Sequence, residues 1–239
     1  VWEIVFRIQC GTVPIPPERY MEQYIMDYMP VNVLNTAQPP RVFTSHLPLK
    51  QLPVSMVTSG CPIIFLLRDP RAVAVSQYHH LIKLKENFSK FIGTWDQFLK
   101  LFLGESVLYN GWFKHTKQWE TDIRHLKEQG HPVLVVHYED LIQNYVEEAK
   151  RIGEFLGKKY STEFYSDILK ETNIEALQER KRNQDLVIRK YFSNNEYPFY
   201  RKGTVDDWKS WFTVEQNETF LSVFSRLMKE SSVKLKCML

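Results

Sequence analysis

Two short apolar runs constrain the fold of this chain more than any other feature of its sequence. Residues 62–67 read Pro-Ile-Ile-Phe-Leu-Leu, and residues 132–137 read Pro-Val-Leu-Val-Val-His. Apolar runs of this length without alternating polar residues are typical of strands buried on both faces of a parallel sheet. Because each run is followed by a helical pattern, the sequence predicts an α/β fold, a three-layer sandwich in which helices flank a central, mostly parallel sheet.

Capping residues indicate where several helices begin. Asp69 is a favourable N-cap and Pro70 suits the first helical position, which predicts a helix that ends near residue 85. Capping-box spacing at 94–97 and 213–216 predicts two more helices. Hydrophobic spacing predicts further helices at 1–9, 20–28, about 112–128, and around Ala149, Ile152 and Phe155, with a short strand at 41–45. It also predicts that the helix of the second box covers 215–228. Without a repeat or an obvious linker, residues 1–239 are predicted to form a single domain.

Composition and charge exclude several classes of protein. The net charge of +3 over 239 residues is too small to indicate nucleic-acid binding by itself. No apolar run approaches the roughly 20 residues that cross a bilayer. The three cysteines, Cys10, Cys61 and Cys237, form neither a disulfide framework nor a metal-ligand spacing. We therefore expect a cytoplasmic protein without a metal site or a membrane partner.

Three polar residues follow predicted strands, where ligands of parallel α/β sheets bind. Arg68, with Ser76 in the next helix, could grip a phosphate, although Arg68 could equally pair with a carboxylate while Ser76 only packs. His46 could act as a general base for a hydroxyl group, although a lone histidine is more often structural. Tyr138 is the third of these residues.

The segment at 180–203 concentrates positive charge. It holds seven lysines and arginines, two carboxylates and five aromatic residues. The pair Arg201-Lys202, followed by Gly203, would suit a flat anionic ligand such as a nucleotide, and the alternative is a solvated surface loop. Single-stranded nucleic acid is a weaker interpretation, because the excess of positive charge is confined to this one short segment and the remainder of the chain is slightly acidic.

Taken together, these segments resemble the cytosolic sulfotransferase family along nearly the whole chain. Ser-His-Leu-Pro-Leu at 45–49 resembles the family's Lys-Thr-His-Leu-Pro-Leu, and residues 67–76 resemble its 3'-phosphate strand and helix. Gly-Thr-Trp-Asp at 93–96 and Tyr-Glu-Asp at 138–140 also resemble family signatures. Arg-Lys-Gly at 201–203, with Asp-Trp-Lys at 207–209, resembles the nucleotide segment.

The resemblance implies a fold like that of nucleotide kinases and a sulfotransferase activity. The enzyme would move a sulfuryl group from 3'-phosphoadenosine 5'-phosphosulfate to a hydroxyl or amine of a small apolar acceptor, such as a phenol, steroid or alcohol, without a metal. His46 would be the general base, with Thr44 and Ser45 beside the acceptor. The cofactor-binding residues would be Arg68, Ser76, Arg201, Lys202 and Gly203 at the 3'-phosphate, and Tyr138, Thr172, Asn173, Ile174, Leu177, Phe199 and Tyr200 around the remainder of the nucleotide.

The resemblance also implies a homodimer. Lys209, Thr213, Val214 and Glu218 resemble the Lys-x-x-x-Thr-Val-x-x-x-Glu segment through which family members pair. The alternative is local, because Thr213 with Gln216 also forms a capping box.

The sequence departs from the family in three places. Val1 begins a segment that resembles the helix after the phosphosulfate-binding loop, so we expect the first strand and that loop to be missing through truncation rather than natural loss. Thr44 stands where the family has a lysine, and Ile174 where an aromatic residue often stacks on adenine.

Two other functions stay open on the sequence alone. One is a non-catalytic nucleotide- or ligand-binding protein on the same fold. The other, a small-molecule kinase, is weaker because no Walker motif is visible. The acceptor is not identified, since its candidate aromatic residues fit a pocket or the core equally well: Phe88, Phe91, Tyr109, Phe192 and Tyr197.

Overall fold

The computed structural model of the protein describes residues 1–16, 19, 21–27, 29–182, 191–193 and 199–236. Tyr197, Cys237 and the greater part of the basic segment lie outside the described residues. The helices are α1 (Trp2–Cys10), α2 (Val31–Asn35), α3 (Val54–Thr58), α4 (Pro70–Lys83), α5 (Trp95–Leu103), α6 (Trp112–Glu128), α7 (Tyr138–Gln143), α8 (Tyr145–Phe155), α9 (Thr162–Thr172), α10 (Ile174–Arg182) and α11 (Val214–Leu227). Short 3₁₀ helices lie at Met21–Tyr24, Leu49–Gln51, Glu86–Phe88, Leu108–Asn110 and Asp207–Ser210.

The two apolar runs form a parallel sheet, which confirms the predicted α/β class. Strand β1 (Ile63–Leu67) pairs with β2 (Val133–His137), and the register runs from Ile63 opposite Val133 to Leu67 opposite His137. Leu67 and Val136 are buried, whereas Leu66 is 40% exposed. The expected burial on both faces therefore holds for part of each strand.

The prediction of a strand at 41–45 is wrong, because the described backbone forms only one parallel bridge there. Thr44 pairs with Ile25 through two hydrogen bonds: the Met26 N–H donates to the Thr44 carbonyl and the Thr44 N–H donates to the Tyr24 carbonyl, each at 2.9 Å. The ladder stops because the next available donor, the His46 N–H, bonds to the Asp27 side chain instead of a backbone carbonyl.

The bridge also explains why the helix predicted at 20–28 is shorter than expected. Its described part is a 3₁₀ helix at Met21–Tyr24, and Ile25 then leaves the helical path to pair with Thr44. Tyr20 and Tyr28, the ends of the predicted helix, lie outside the described residues.

The chain divides into two compact units, and its organisation as a single domain remains a prediction. The first unit comprises residues 1–47 and 140–188, and in it α1 contacts both α8 and α9. A charged pair is buried among these helices: Arg7, 1% exposed, donates to Glu3, which also accepts from Arg180 of α10. Buried charges need such partners. The contact between Glu3 and Arg180 therefore ties α1 to α10.

The second unit comprises residues 48–139 and 189–239, and it contains the sheet. Its main core is aromatic and joins α5, α6 and α11 through Phe98, Phe102, Phe113 and Phe220, each nearly inaccessible. Within the described part of the chain, no helix is both long and apolar enough to cross a membrane.

Candidate functional site

The turn from β1 into α4 is held by two carboxylates. The Asp69 side chain caps α4 by accepting from the Arg71 N–H at 2.8 Å, and Pro70 occupies the first turn. The Asp69 N–H in turn donates to Glu139, just after β2, at 2.9 Å. Because Glu139 holds the residue after Arg68, the carboxyl ends of both strands are fixed relative to each other.

Arg71 uses the Asp69 carboxylate completely. Its guanidinium donates from Nη2 to Oδ2 at 2.7 Å and from Nε to Oδ1 at 3.1 Å, and it lies 3.7 Å from the centre of the Trp208 ring. Arg71 also donates to Asn217 of α11 at 3.1 Å. This buried arginine therefore has a structural role.

Arg68 has no comparable partner among the residues that the structure describes. Its guanidinium lies 4.2 Å from the centre of the Tyr138 ring, its buried Nε has no hydrogen-bond acceptor, and it forms no ion pair with any described carboxylate. Burial lowers the pKa of Arg68, while Glu139 opposes the shift and the charge of Arg201 adds to it. A partly buried cation without an ion-pair partner among the described residues favours an anionic ligand.

Two further cations meet at a single carboxylate. Arg201 and Lys202 both donate to Asp207, at the start of the 3₁₀ helix Asp207–Ser210. Burial alone would raise the pKa of Asp207, but the hydrogen bonds from Lys202 and Arg201 outweigh it and leave the pKa below its ordinary value. Gly203 follows with a φ of +67°, a conformation that glycine adopts without strain. The second unit thus brings Arg68, Arg201 and Lys202 together.

Helix α4 presents histidines beside these cations, beyond the exposed Ser76. His80 stacks on Phe199, with ring centres 5.5 Å apart, and His79 meets the edge of Trp211 at 4.6 Å. Burial lowers the pKa of His79, and Arg201 adds to the shift. Phe199 is therefore anchored to α4, and Tyr200 is half-buried next to it in sequence.

His46 lies in the first unit, at the end of the bridge that contains Thr44. Its imidazole is 62% exposed, and Nδ1 is 3.8 Å from an oxygen of the Asp27 carboxylate. Its N–H donates to both oxygens of Asp27, at 3.0 and 3.2 Å. The Ser45 hydroxyl accepts from the Leu47 N–H at 3.0 Å, which shapes the turn. An accessible ring on a fixed backbone suits a general base.

The segment at 172–177 joins α9 to α10 in the first unit. The Thr172 hydroxyl bonds to Tyr145 at 2.9 Å and donates to the Ile168 carbonyl, and burial raises the pKa of Tyr145 to about 12. Asn173 caps α10 by accepting from the Ala176 N–H at 2.8 Å. Ile174 and Leu177 are half-buried at the start of α10.

Sequence reasoning missed the acidic partners of the basic groups. Asp207 belongs to a segment that was singled out, but its bonds to Arg201 and Lys202 were not predicted. Nothing in the sequence pointed to Asp27, because the bridge brings it to His46 across 19 residues. The described residues contain no cluster of three or more side chains of the types that bind metal ions.

Comparisons with known proteins show which family the chain is similar to. The family model described as "Sulfotransferase domain" matches residues 16–232. The chain is 34% identical to rat Sulfotransferase 1A1 over 96% of its own length and 77% of the relative's. It is 35% identical to the guinea-pig 3-alpha-hydroxysteroid sulfotransferase over 82% of its own length and 66% of the relative's, just under two thirds. The crystal structure of mouse sulfotransferase SULT7A1 complexed with PAP matches 84% of this chain and 69% of that one, with 28% identity and a TM-score of 0.69.

Proposed function

The chain belongs to the sulfotransferase family, and on that premise we propose that it moves a sulfuryl group from 3'-phosphoadenosine 5'-phosphosulfate to a hydroxyl or amine of a small apolar acceptor. The PAP in the matched mouse structure supports this donor, and the guinea-pig relative's name supports steroids among the acceptor classes. Phenols and other apolar alcohols belong to the same proposal. A cytoplasmic location and a single domain over residues 1–239 are also proposed.

The observation that carries the proposal is the position of Arg68 and its lack of an ion-pair partner among the described residues. A guanidinium at the end of a parallel strand, without an ion-pair partner among the described residues, is an incomplete site that a phosphate would complete. Arg201 and Lys202 lie in the same unit and supply two more positive charges. We assign these three residues, with Ser76 and Gly203, to the 3'-phosphate.

The remaining contacts of the nucleotide are assigned on the resemblance. Tyr138, which already supports Arg68, would line the adenosine, together with the following residues: Thr172, Asn173, Ile174, Leu177, Phe199 and Tyr200. Ile174 offers an apolar face rather than an aromatic one, so it would pack on the adenine ring without aromatic stacking.

His46 is proposed as the general base of the transfer. As the acceptor oxygen attacks sulfur, its proton moves to His46, a new S–O bond forms, and the bond from sulfur to the phosphate oxygen breaks. The nucleotide leaves as 3',5'-adenosine diphosphate, and His46 later releases the proton to solvent. Such assistance contributes on the order of a hundredfold to ten-thousandfold. Thr44 is uncharged, whereas the family has a lysine at this position. We therefore expect His46 to contribute a larger share of the rate enhancement.

Calorimetric titration with 3',5'-adenosine diphosphate tests the nucleotide site. We expect the wild-type protein to bind it and Arg68→Ala to bind at least about tenfold more weakly, because a charge-assisted phosphate contact is lost. Arg226→Ala, which removes an exposed arginine of α11, is the matched control and should bind as the wild type does. Absence of binding by folded wild-type protein would overturn the proposal.

Turnover separates an enzyme from the alternative, a non-catalytic binding protein. We expect transfer from the phosphosulfate donor to at least one member of a panel of phenols and steroids, and a loss of about a hundredfold or more in His46→Ala. Nucleotide affinity should be unchanged in that variant. Tight nucleotide binding without transfer to any acceptor would favour the binding protein.

A further inference from the structure

We propose that Asp27 is a positioning residue for His46. Its carboxylate would accept a hydrogen bond from the proton on Nδ1, so that Nε2 is unprotonated and can receive the acceptor's proton, and it would stabilise the imidazolium that results. This inference rests on the proposed role of His46 and adds a residue that the resemblance did not supply.

The contact between the two residues has a fixed part and an adjustable part. The backbone N–H of His46 donates to both Asp27 oxygens. The carboxylate therefore stays beside His46 when the imidazole ring rotates. The Nδ1 atom is 3.8 Å from the nearer oxygen, which is outside hydrogen-bond distance but within ion-pair distance. Because the ring is 62% exposed, it can turn about its side-chain bonds and close this gap when it becomes charged.

Asp27 is held in place and held ionised. Its side chain is 3% exposed, and the bridge between Ile25 and Thr44 fixes its register against His46. Burial by itself would raise the pKa of Asp27, but the hydrogen bonds and the charge that His46 offers outweigh burial, and the pKa lies below its ordinary value. A full negative charge is thus present beside the ring at neutral pH.

A purely structural role would not require this charge. One neutral oxygen, as in asparagine, is enough to accept the His46 N–H, whereas burying a carboxylate costs solvation free energy. That cost is partly offset when the neighbouring ring becomes a cation, because the opposite charges attract each other even at a ring that solvent reaches. A carboxylate that accepts the Nδ1 proton orients catalytic histidines in hydrolases, where it sets the tautomer and is not itself protonated, and Asp27 would act in this way once the ring closes the gap.

The proton balance of the step is simple. The acceptor's O–H proton moves to Nε2 as the oxygen bonds to sulfur, and the electron pair of the broken S–O bond stays with the departing phosphate. The Nδ1 proton stays on the ring and faces Asp27. No oxidant, reductant or metal ion enters the step.

The test compares Asp27→Asn with Asp27→Ala in the protein. Asn keeps an oxygen for the His46 N–H but removes the charge, and its amide donates rather than accepts towards Nδ1. We therefore expect Asp27→Asn to lower kcat by about tenfold or more, within the range that a general base contributes, while both KM values stay within about threefold. Asp27→Ala should lower kcat similarly and also lower Tm, because it leaves the backbone donor without its acceptor.

A nuclear magnetic resonance measurement reads the tautomer directly. Nitrogen shifts of the His46 ring, assigned by their loss in His46→Asn, should report a proton on Nδ1 in the wild type and a shift towards Nε2 in Asp27→Asn. Asp167→Asn, a matched change in α9 of the same unit, should alter neither the ring nor kcat. A wild-type kcat together with a wild-type tautomer in Asp27→Asn would overturn the inference.

The ring measurement also separates this inference from the proposed function. If the wild type transfers sulfuryl groups to no acceptor, the proposed function fails, and the tautomer still shows whether Asp27 orients His46. If the wild type is active and Asp27→Asn matches it in both kcat and ring tautomer, the pairing fails while the proposed function stands.

Discussion

Arg68 and Arg71 lie three residues apart after β1 and differ in what surrounds them. Arg71 is buried against Asp69 and Trp208, whereas Arg68 has an aromatic ring and no described carboxylate partner. The two side chains have the same chemistry, so their different surroundings separate a structural arginine from one available to a ligand.

This difference predicts that the two arginines contribute unequally to the stability of the fold. Without nucleotide, Arg71→Ala should lower the free energy of unfolding by about 3–5 kcal/mol, because it leaves the Asp69 carboxylate buried without its partner. Arg68→Ala should stay within about 0.5 kcal/mol of the wild type or exceed it. Urea unfolding followed by circular dichroism measures both. An equal loss in the two variants would contradict the assignment of Arg68 to a ligand.

Asp207 gives a prediction for pH dependence. Because its pKa in the folded protein lies below the ordinary value of 3.8, its stabilising effect is present above that value and is lost as the pH falls through the folded pKa. Asp207→Asn should therefore be less stable than the wild type at pH 7 by about 1 kcal/mol, since Lys202 is largely exposed and its ion pair is screened.

The same comparison should give a difference that shrinks as the pH falls below 3.8 towards the lowered pKa of Asp207, because Asp207 then becomes protonated in the wild type. Urea midpoints measured between pH 2 and pH 7 provide the test. A difference that stays constant over this range would mean that Asn disturbs the packing rather than the charge.

The residues of the candidate site were predicted unevenly, for a physical reason. Arg68 and Tyr138 directly follow continuous apolar runs, and the ends of parallel strands are recognisable in a sequence. Asp27 reaches His46 through a single bridge between segments without a strong pattern, so no local signal reveals it. A side chain whose role depends on a partner elsewhere in the chain needs coordinates.

At the scale of elements, helix caps were the most reliable signal. The boxes at 94–97 and 213–216 form as predicted, with both the hydroxyl and the glutamine bonds present. The helices α9 and α10 were not predicted, although Ser161 and Asn173 cap them. Neither cap is followed three residues later by Glu or Gln, so the simple capping-box pattern misses both.

These two caps also test the proposed adenosine segment. Asn173→Ala and Ser161→Ala each remove one capping bond and should each lower stability by about 1 kcal/mol. Only Asn173 lies in the segment at 172–177, so only Asn173→Ala should weaken binding of 3',5'-adenosine diphosphate, by about threefold or more. Calorimetry on both variants measures this difference. Equal affinities would remove the segment from the proposed nucleotide site.

At the scale of the whole molecule, the open question is self-association. The segment that resembles a dimer interface begins at Lys209, within the 3₁₀ helix Asp207–Ser210, and Val214 is 78% exposed at the start of α11. We propose a homodimer through Lys209, Thr213, Val214 and Glu218. The capping box of Thr213 with Gln216 is present as well, so the local and the intermolecular roles are compatible.

A pair of matched valines tests the dimer. Val214→Glu should convert a dimer into a monomer, because a charge would replace an apolar contact at the interface. Val54→Glu, at a valine that is 75% exposed, should leave the dimer intact. Sedimentation equilibrium measures the mass of each variant. A monomeric wild type, or dissociation of both variants alike, would contradict the assigned interface.

The guanidinium of Arg68, which forms no ion pair with any carboxylate in the described part of the chain, has a practical consequence for the handling of the protein. If Arg68 binds phosphate as proposed, we expect a phosphate-bearing solute that binds there to stabilise the fold by mass action. At a concentration of about a thousand times its dissociation constant, such a solute adds about 4 kcal/mol to the free energy of unfolding. Melting curves recorded against a library of phosphate compounds would therefore rank nucleotides by fit before any acceptor is known, and storage with the tightest of them would prolong the shelf life of purified samples.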